Sequence, residues 1–281
     1  MTRERPPASA PRRGADPQPR IDAALRAAAA RLEARSTSPR LDAELLLTHT
    51  LGVARSHLFA HPERPLPAAT ARAYERLVER RARGEPVAYL LGRCEFFGVT
   101  LAVDETVLVP RPETEHLVEI ALEHLPPAGR LLDLGTGSGA VALAVAAERP
   151  RAAVRGLERS AAALATAEGN RRRLGLEGVE LRCGDWEAGI EGRFEVIAAN
   201  PPYVEEGAPE WRDGGLQWEP REALAAGPDG LGALRRLVPA AAPALAPDGL
   251  LAVEHGAAQG EAVRGLRSEE HTSELQSLSH I

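Results

Sequence analysis

Lysine is missing from this chain: all 34 positions counted as lysine or arginine are arginine. Against them stand 40 acidic residues, for a formal charge of −6. That balance argues against a surface that follows a phosphate backbone throughout, although it leaves room for a local basic patch. Cysteine is scarce. Cys94 and Cys183 lie far apart with no metal-ligand spacing, and the histidines are scattered singly, so no metal site is expected. The start carries no apolar leader, and two such cysteines then read as reduced thiols of a cytoplasmic protein. No apolar run reaches the roughly 18 residues that a membrane-spanning helix needs. The alanine-rich stretches are broken by arginine, glutamate and proline. A hydrophobic share of 44% in 281 residues is enough for a buried core, in one large domain or two modest ones.

What is present changes character along the chain. Residues 1–20 are rich in proline, arginine and alanine and read as a disordered tail. From 21 to 91 the pattern is helical. Ile21, Ala24, Leu25 and Leu32 recur at helical spacing; Ser38-Pro39 offers a hydroxyl cap and a first-turn proline; Leu41, Leu45 and Leu46 give an apolar face that Gly52 ends. Pro67 opens a further helix to about Arg83, with Tyr74 and Leu77 facing inward. Composition leaves open whether this small bundle is a scaffold or a partner-docking module. Over 92–115 the signal becomes that of a β-hairpin linker: Phe96, Val99, Leu101 and Val103, then Val107 and Val109, alternate as short strands, and Pro110-Arg111-Pro112 cannot lie inside a helix.

A helix near Glu115–His124 follows, and from Arg130 strands and helices alternate. Strands are expected at Arg130–Leu134, Ala153–Leu157, Val179–Cys183, Phe194–Ala199 and Gly249–Glu254. Helices are expected at Gly139–Arg149, from Ser160, and near Leu231–Leu245. Such alternation implies an α/β fold with a parallel sheet covered on both faces.

Four motifs sit at the ends of these strands. The turn Gly135-Thr136-Gly137-Ser138-Gly139 follows Asp133-Leu134; its glycines let backbone approach a ligand that side chains would keep away. Its G-x-G-x-G spacing differs from the G-x-G-x-x-G of dinucleotide enzymes. Glu158 ends the next strand, where a carboxylate can accept from both hydroxyls of a ribose. Gly184-Asp185-Trp186 ends the third, with Asp185 able to accept from an adenine amino group and Trp186 able to cover the ring. Asn200-Pro201-Pro202-Tyr203 ends the fourth. Its prolines bias Asn200 away from helix, so the Asn200 side-chain oxygen and the Pro201 carbonyl can converge on the two donors of an NH₂ group while Tyr203 flanks a planar amide or base. The plain alternatives are a ligand-free turn, a solvated glutamate, a structural tryptophan and a proline turn.

Together these motifs resemble class I S-adenosylmethionine-dependent methyltransferases, with a Rossmann-like sheet. The closest resemblance is to the peptide chain release factor N5-glutamine methyltransferase family (HemK/PrmC). It extends to Glu85-Pro86-Val87-Ala88-Tyr89-Leu90-Leu91-Gly92, to Val109-Pro110-Arg111-Pro112-Glu113-Thr114-Glu115, and to Glu254-His255-Gly256 with Gln259-Gly260-Glu261, and so covers about 21–266. The resemblance implies a small N-terminal helical domain that helps dock a release factor and a methyltransferase domain over 116–266. Gly135 to Gly139, Glu158, Trp186 and Asn200 would contact S-adenosylmethionine, with Asp133 and Asp185 weaker candidates. Asn200, Pro201, Pro202 and Tyr203 would hold the glutamine of a Gly-Gly-Gln loop. The implied partner is a class I release factor, the implied state a monomer, with neither a membrane nor a nucleic-acid substrate. Holding both N–H groups aims a poorly nucleophilic amide nitrogen at the methyl group, and positioning of this kind is worth several kcal/mol, up to about 7–11. Arg111 is left between ordering the linker and approaching the donor. Ribosomal-protein glutamine methyltransferases and enzymes acting on exocyclic amines of DNA or RNA share the asparagine-proline motif. Pro110 to Glu115 favours the release-factor family, and the intact motifs argue against a non-catalytic binding protein.

The end departs from the family. Residues 267–281 read as the translation of a sequencing adapter rather than the helix and two final antiparallel strands of the family, so the sheet is expected to lack those strands and to leave the flank of its fifth strand open.

Overall fold

The computed structural model describes residues 18–209, 211, 216–269 and 275–279. It divides into two compact units, up to Arg83 and from Gly84, whereas the sequence reading ended the helical domain at 91. The tail expected over 1–20 lies outside the described residues as far as 17; beyond that point Pro19 is held by chain pairing, its carbonyl accepting from the Leu66 amide at 2.8 Å.

The first unit holds helices α1 (Ile21–Leu32), α2 (Pro39–Leu51), α3 (Arg55–Ala60) and α4 (Ala68–Ala82). Ile21, Leu25, Ala28 and Leu32 are buried at helical spacing, as expected of α1. In α2 the buried face is turned from the expected one: Ala43, Leu46 and Leu47 are buried, while Leu41 is 37% exposed. Two carboxylates explain the turn, because Asp42 and Glu44 are also buried. Arg81 of α4 donates to Asp42 at 2.7 Å, and Arg40 and Arg55 each donate to Glu44 at 2.6 Å, so α2 points its acids as well as its leucines inward. Burial raises the Glu44 carboxyl and the two guanidiniums overcome it, leaving Glu44 below its ordinary pKa. The helix begins at Pro39 as expected, but the Ser38 hydroxyl makes no capping bond; Ser36 Oγ accepts from the Ser38 amide instead. In α4, Tyr74 and Val78 are buried and Leu77 is half-buried, one position away from the expected inward pair.

In the second unit, α5 (Val87–Leu91) leads into an antiparallel hairpin of β1 (Arg93–Phe96) and β2 (Val99–Ala102), turned by Phe97 and Gly98 at positive φ. Val107 and Val109, expected as strand, lie in irregular chain; both are buried, and burial without a neighbouring edge to pair with explains their alternation. After α6 (Glu115–His124) come β3 (Arg130–Leu134), α7 (Ala140–Glu148), β4 (Ala153–Glu158), α8 (Ala161–Leu174), β5 (Glu180–Cys183), the short α9 (Trp186–Gly189) and β6 (Phe194–Ala199). Then follow α10 (Gly232–Ala241), β7 (Leu245–His255), α11 (Gly260–Glu269) and β8 (Leu275–Ser279). The large sheet runs β5-β4-β3-β6-β7-β8 with every pairing parallel. Its faces are dry. One packs Leu131, Val196 and Ala252 against α6 and α7; the other packs Leu132, Ile197 and Leu251 against α10. Helix α7 is apolar on all sides, and Ala140 through Ala146 are buried, which suits a helix inserted between layers. The flank of β7, expected to stand open, pairs with β8 in parallel.

Among the described residues, no helix is long and apolar enough to cross a membrane.

Candidate active site

Strand order reverses at β3, which has β4 on one side and β6 on the other. In an open parallel sheet the crevice beyond the carboxyl ends of such strands is where ligands bind. Register makes the location sharper. Leu134 pairs with Leu157 of β4 and Ala199 of β6, and Ala199 pairs with Val253 of β7. One residue beyond this level row stand Glu158, Gly135, Asn200 and Glu254. Residues from four separate segments of sequence therefore emerge at one height, and Gly135, Glu158 and Asn200 among them line a cavity of about 390 Å³.

The turn after β3 is built around backbone. Gly135, Gly137 and Gly139 all have positive φ, and a Cβ on Gly139 would lie 2.7 Å from Leu143 Cδ1, so this corner has no room for a side chain. Gly135, Thr136, Gly137 and Ser138 line the cavity; Gly139 lies behind them against Leu143. Asp133 holds the turn from below, accepting from the Thr136 hydroxyl at 2.5 Å and the Ala142 amide at 3.1 Å. Burial pushes the Asp133 carboxyl up to about 6 against the lowering effect of those two bonds, with a smaller upward push from Glu158. Asn170 of α8 braces the turn by donating to the Ser138 carbonyl at 2.8 Å and to the Ala102 carbonyl of the hairpin at 3.0 Å.

Glu158 is only 8% exposed and lines the cavity. Its oxygens accept from the Gly137 and Ser160 amides, each at 2.9 Å. A carboxylate has further lone pairs, so both oxygens keep acceptor capacity toward a ligand hydroxyl. Trp186 also lines the cavity, with the Arg236 guanidinium 5.9 Å from its ring centroid. Asp185 does not line it: one carboxylate oxygen accepts from the Trp186 amide at 2.7 Å and the other from Arg236 at 2.9 Å. Burial raises the Asp185 carboxyl, and the Arg236 and Trp186 bonds outweigh that and lower it.

At the other end of the row, Asn200 and Pro202 line the cavity while Pro201 and Tyr203 do not. Asn200 Nδ2 donates to Thr114 Oγ1 at 3.1 Å, and Thr114 Oγ1 donates to Glu254 Oε2 at 2.8 Å. The Tyr203 hydroxyl donates to Glu254 Oε1 at 3.1 Å. Burial, and then the Glu254 charge, push the Tyr203 phenol above its ordinary pKa, so it stays protonated. Asn200 Oδ1 is buried and accepts nothing. A buried acceptor without a partner costs about 1–3 kcal/mol, so this oxygen is poised for a donor brought by a ligand.

The opposite wall had no expectation attached to it. Pro220, Glu222, Ala223, Ala225, Ala226 and Gly227 form it. Val204, just past Tyr203, donates to the Leu224 carbonyl at 2.8 Å and accepts from the Ala226 amide at 3.0 Å, which ties the wall to the asparagine-proline turn. Buried Glu219 anchors its start, accepting from the Val109 amide at 3.0 Å and from the Arg111 guanidinium. Arg111 thus orders the chain around the cavity. The available sequence signal was Trp218-Glu219-Pro220, an acid between a rare aromatic and a proline.

Residues 23–92 match the PrmC N-terminal domain family and residues 114–212 the methyltransferase small domain family. The chain is 47% identical over 262 residues to the release factor glutamine methyltransferase of Xylella fastidiosa (strain 9a5c), which covers 92% of each chain. It is 44% identical to the enzyme of the same name from Neisseria gonorrhoeae, over 88% of this chain and 91% of that one. Among solved structures, a ribosomal protein L11 methylase from Lactobacillus delbrueckii subsp. bulgaricus overlays with a TM-score of 0.45 and 20% identity, covering 60% of this chain and 73% of that one.

Proposed function

The chain belongs to the release factor glutamine methyltransferase family, and from that premise we propose how its cavity performs the reaction: the glycine turn, Glu158 and Trp186 hold S-adenosylmethionine, and Asn200 and Pro202 hold the glutamine of a class I release factor's Gly-Gly-Gln loop, with Tyr203 fixing their turn through Glu254. The chain is a methyltransferase that transfers a methyl group to the side-chain amide nitrogen of that glutamine. The single observation that carries the assignment is the buried, unpartnered Oδ1 of Asn200, a residue that lines the cavity and stands level with Glu158 across the switch point.

An amide nitrogen is a weak nucleophile because its lone pair is delocalised into the carbonyl. Asn200 Oδ1 accepts from the substrate's NH₂ group and orients the nitrogen for in-line attack, with Pro202 lining the cavity beside it. As the nitrogen–carbon bond forms, the carbon–sulfur bond of the sulfonium breaks and its electron pair remains on sulfur. Positive charge grows on nitrogen, where that acceptor stabilises it, and one N–H proton then leaves to solvent. The products are S-adenosylhomocysteine, the methylated amide and a proton. The donor is charged before it binds, so the site needs no general base, and the Glu158 carboxylate serves the ribose hydroxyls. Asp133 lines the cavity and also holds the turn, whereas Asp185 acts on the donor indirectly, through Trp186.

The test is transfer of labelled methyl from S-adenosylmethionine to a purified class I release factor, beside a factor whose Gly-Gly-Gln glutamine is replaced. Label on the normal factor alone is expected. Equal label on both factors, or label taken up by DNA or RNA, would overturn the assignment.

A further inference from the structure

We infer that Glu254, acting through Thr114, fixes which way the Asn200 amide faces and thereby makes the site select an amide over a carboxylate. The inference rests on the glutamine-amide reading above and adds to it a positioning residue in β7.

The reasoning follows hydrogen-bond polarity. Glu254 is 3% exposed, and its carboxylate can only accept. It stands in the same strand-end row as Asn200, since Val253 pairs with Ala199. Thr114 Oγ1, 2.8 Å from Glu254 Oε2, must therefore spend its single proton on Glu254. A hydroxyl that has given up its proton can only accept from its other neighbour. That neighbour is the Asn200 amide, 3.1 Å away, so the group turned toward Thr114 must be the NH₂, which leaves the buried, unpartnered Oδ1 as the acceptor this amide keeps for a ligand. Nitrogen and oxygen of an asparagine amide are nearly identical in shape, so sterics do not choose between the two orientations, whereas a chain of bonds ending in an obligate acceptor does. In the reversed orientation the Asn200 oxygen would face the Thr114 lone pair and its NH₂ would face the NH₂ of the substrate.

The second Glu254 oxygen completes the arrangement. It accepts from the Tyr203 hydroxyl at 3.1 Å, so the same carboxylate holds both ends of the Asn200-to-Tyr203 turn. Gln259 holds the backbone of that turn separately, donating to the Tyr203 carbonyl at 3.0 Å. Loss of the Glu254 charge should therefore change the direction of the Asn200 amide while the turn itself stays in place.

The experiment compares Thr114→Val, Thr114→Ser and Glu254→Gln with the unaltered chain, using a class I release factor and S-adenosylmethionine. Thr114→Val removes the relay, and Glu254→Gln allows the relay to run in either direction. Both are expected to lower kcat on the order of tenfold to a hundredfold, with the KM for the donor within roughly twofold. Thr114→Ser keeps the hydroxyl and should restore most of kcat. A release factor carrying glutamate in place of the Gly-Gly-Gln glutamine supplies a readout that loss of packing would not move. It should inhibit the Glu254→Gln chain more strongly than the unaltered chain, because a reversed Asn200 offers NH₂ to a carboxylate. Unchanged kcat in Thr114→Val, or an unchanged preference for the glutamine over the glutamate factor in Glu254→Gln, would overturn the inference. Asn200→Ala separates the two layers. Turnover surviving that change removes the glutamine-amide reading itself, whereas turnover lost there but retained in Thr114→Val removes only the relay.

Discussion

The two ends of the cavity are built on different principles. The donor end is made from backbone: three glycines at positive φ, held by carboxylates that accept from the turn, Asp133 from the Thr136 hydroxyl and Glu158 from the Gly137 amide. The amide end is made from side chains in a directed chain of bonds, Asn200 to Thr114 to Glu254 with Tyr203 joining from the far side. The contrast follows from what each end has to recognise. A large nucleoside needs space and a few acceptors, so the donor end fails when atoms are added. An amide differs from an acid by one group, so the amide end fails when a proton is misplaced, even with every shape preserved.

Changes at the donor end should break that comparison in graded steps. The largest effect is expected for Gly139→Ala, which forces a Cβ to 2.7 Å from Leu143 at φ +85. Left-handed strain plus overpacking should cost roughly 2–4 kcal/mol in urea unfolding. Asp133 comes next. Its folded-state pKa of about 6 lies above the ordinary 3.8, so the folded chain holds this proton more tightly than the unfolded one. Its contribution is present below the unfolded value and is lost as pH rises through the folded one. Stability should therefore fall by about 2 kcal/mol between about pH 4 and pH 7, relative to Asp133→Asn. Parallel pH profiles for the two chains would show that the proton is not held. Arg111→Ala leaves buried Glu219 without its cation. With a third of the Arg111 side chain open to solvent, about 1–2 kcal/mol is expected in a thermal melt, with weaker donor binding as the Pro220–Gly227 wall loosens. The smallest is Glu158→Gln, which keeps the shape and loses the charge; calorimetry should find donor affinity lower by roughly fivefold.

The donor end was also the more legible in sequence. Glycines and a strand-end acid are local signals, as is the asparagine before two prolines at the amide end, and a parallel sheet carries each to the same height once the strands are placed; the Thr114 and Glu254 partners of that asparagine gave no such signal. Strands β3, β4 and β6 came within a residue because apolar runs between turn residues leave little choice, whereas β7 begins four residues before the expected Gly249. Legibility failed where structure depends on distant partners. Leu41 looked as apolar as Leu47, and buried acids paired with Arg81, Arg40 and Arg55 decided which faced inward. Val107 and Val109 alternate like a strand but are buried in irregular chain; the Glu219 carboxylate receives the Val109 amide. The Pro220–Gly227 wall has no regular periodicity at all. Glu254 and Thr114 stood in segments noted only for resemblance, because their role is a relation among three residues far apart in sequence.

Asn200→Ala tests the central claim most directly, measured as single-turnover methyl transfer from pre-bound S-adenosylmethionine to a class I release factor, with donor affinity determined beside it. The account predicts that transfer falls on the order of a thousandfold while donor affinity is largely kept. Transfer at the unaltered rate would contradict it, since the buried, unpartnered oxygen of Asn200 would then have no part in holding the amide.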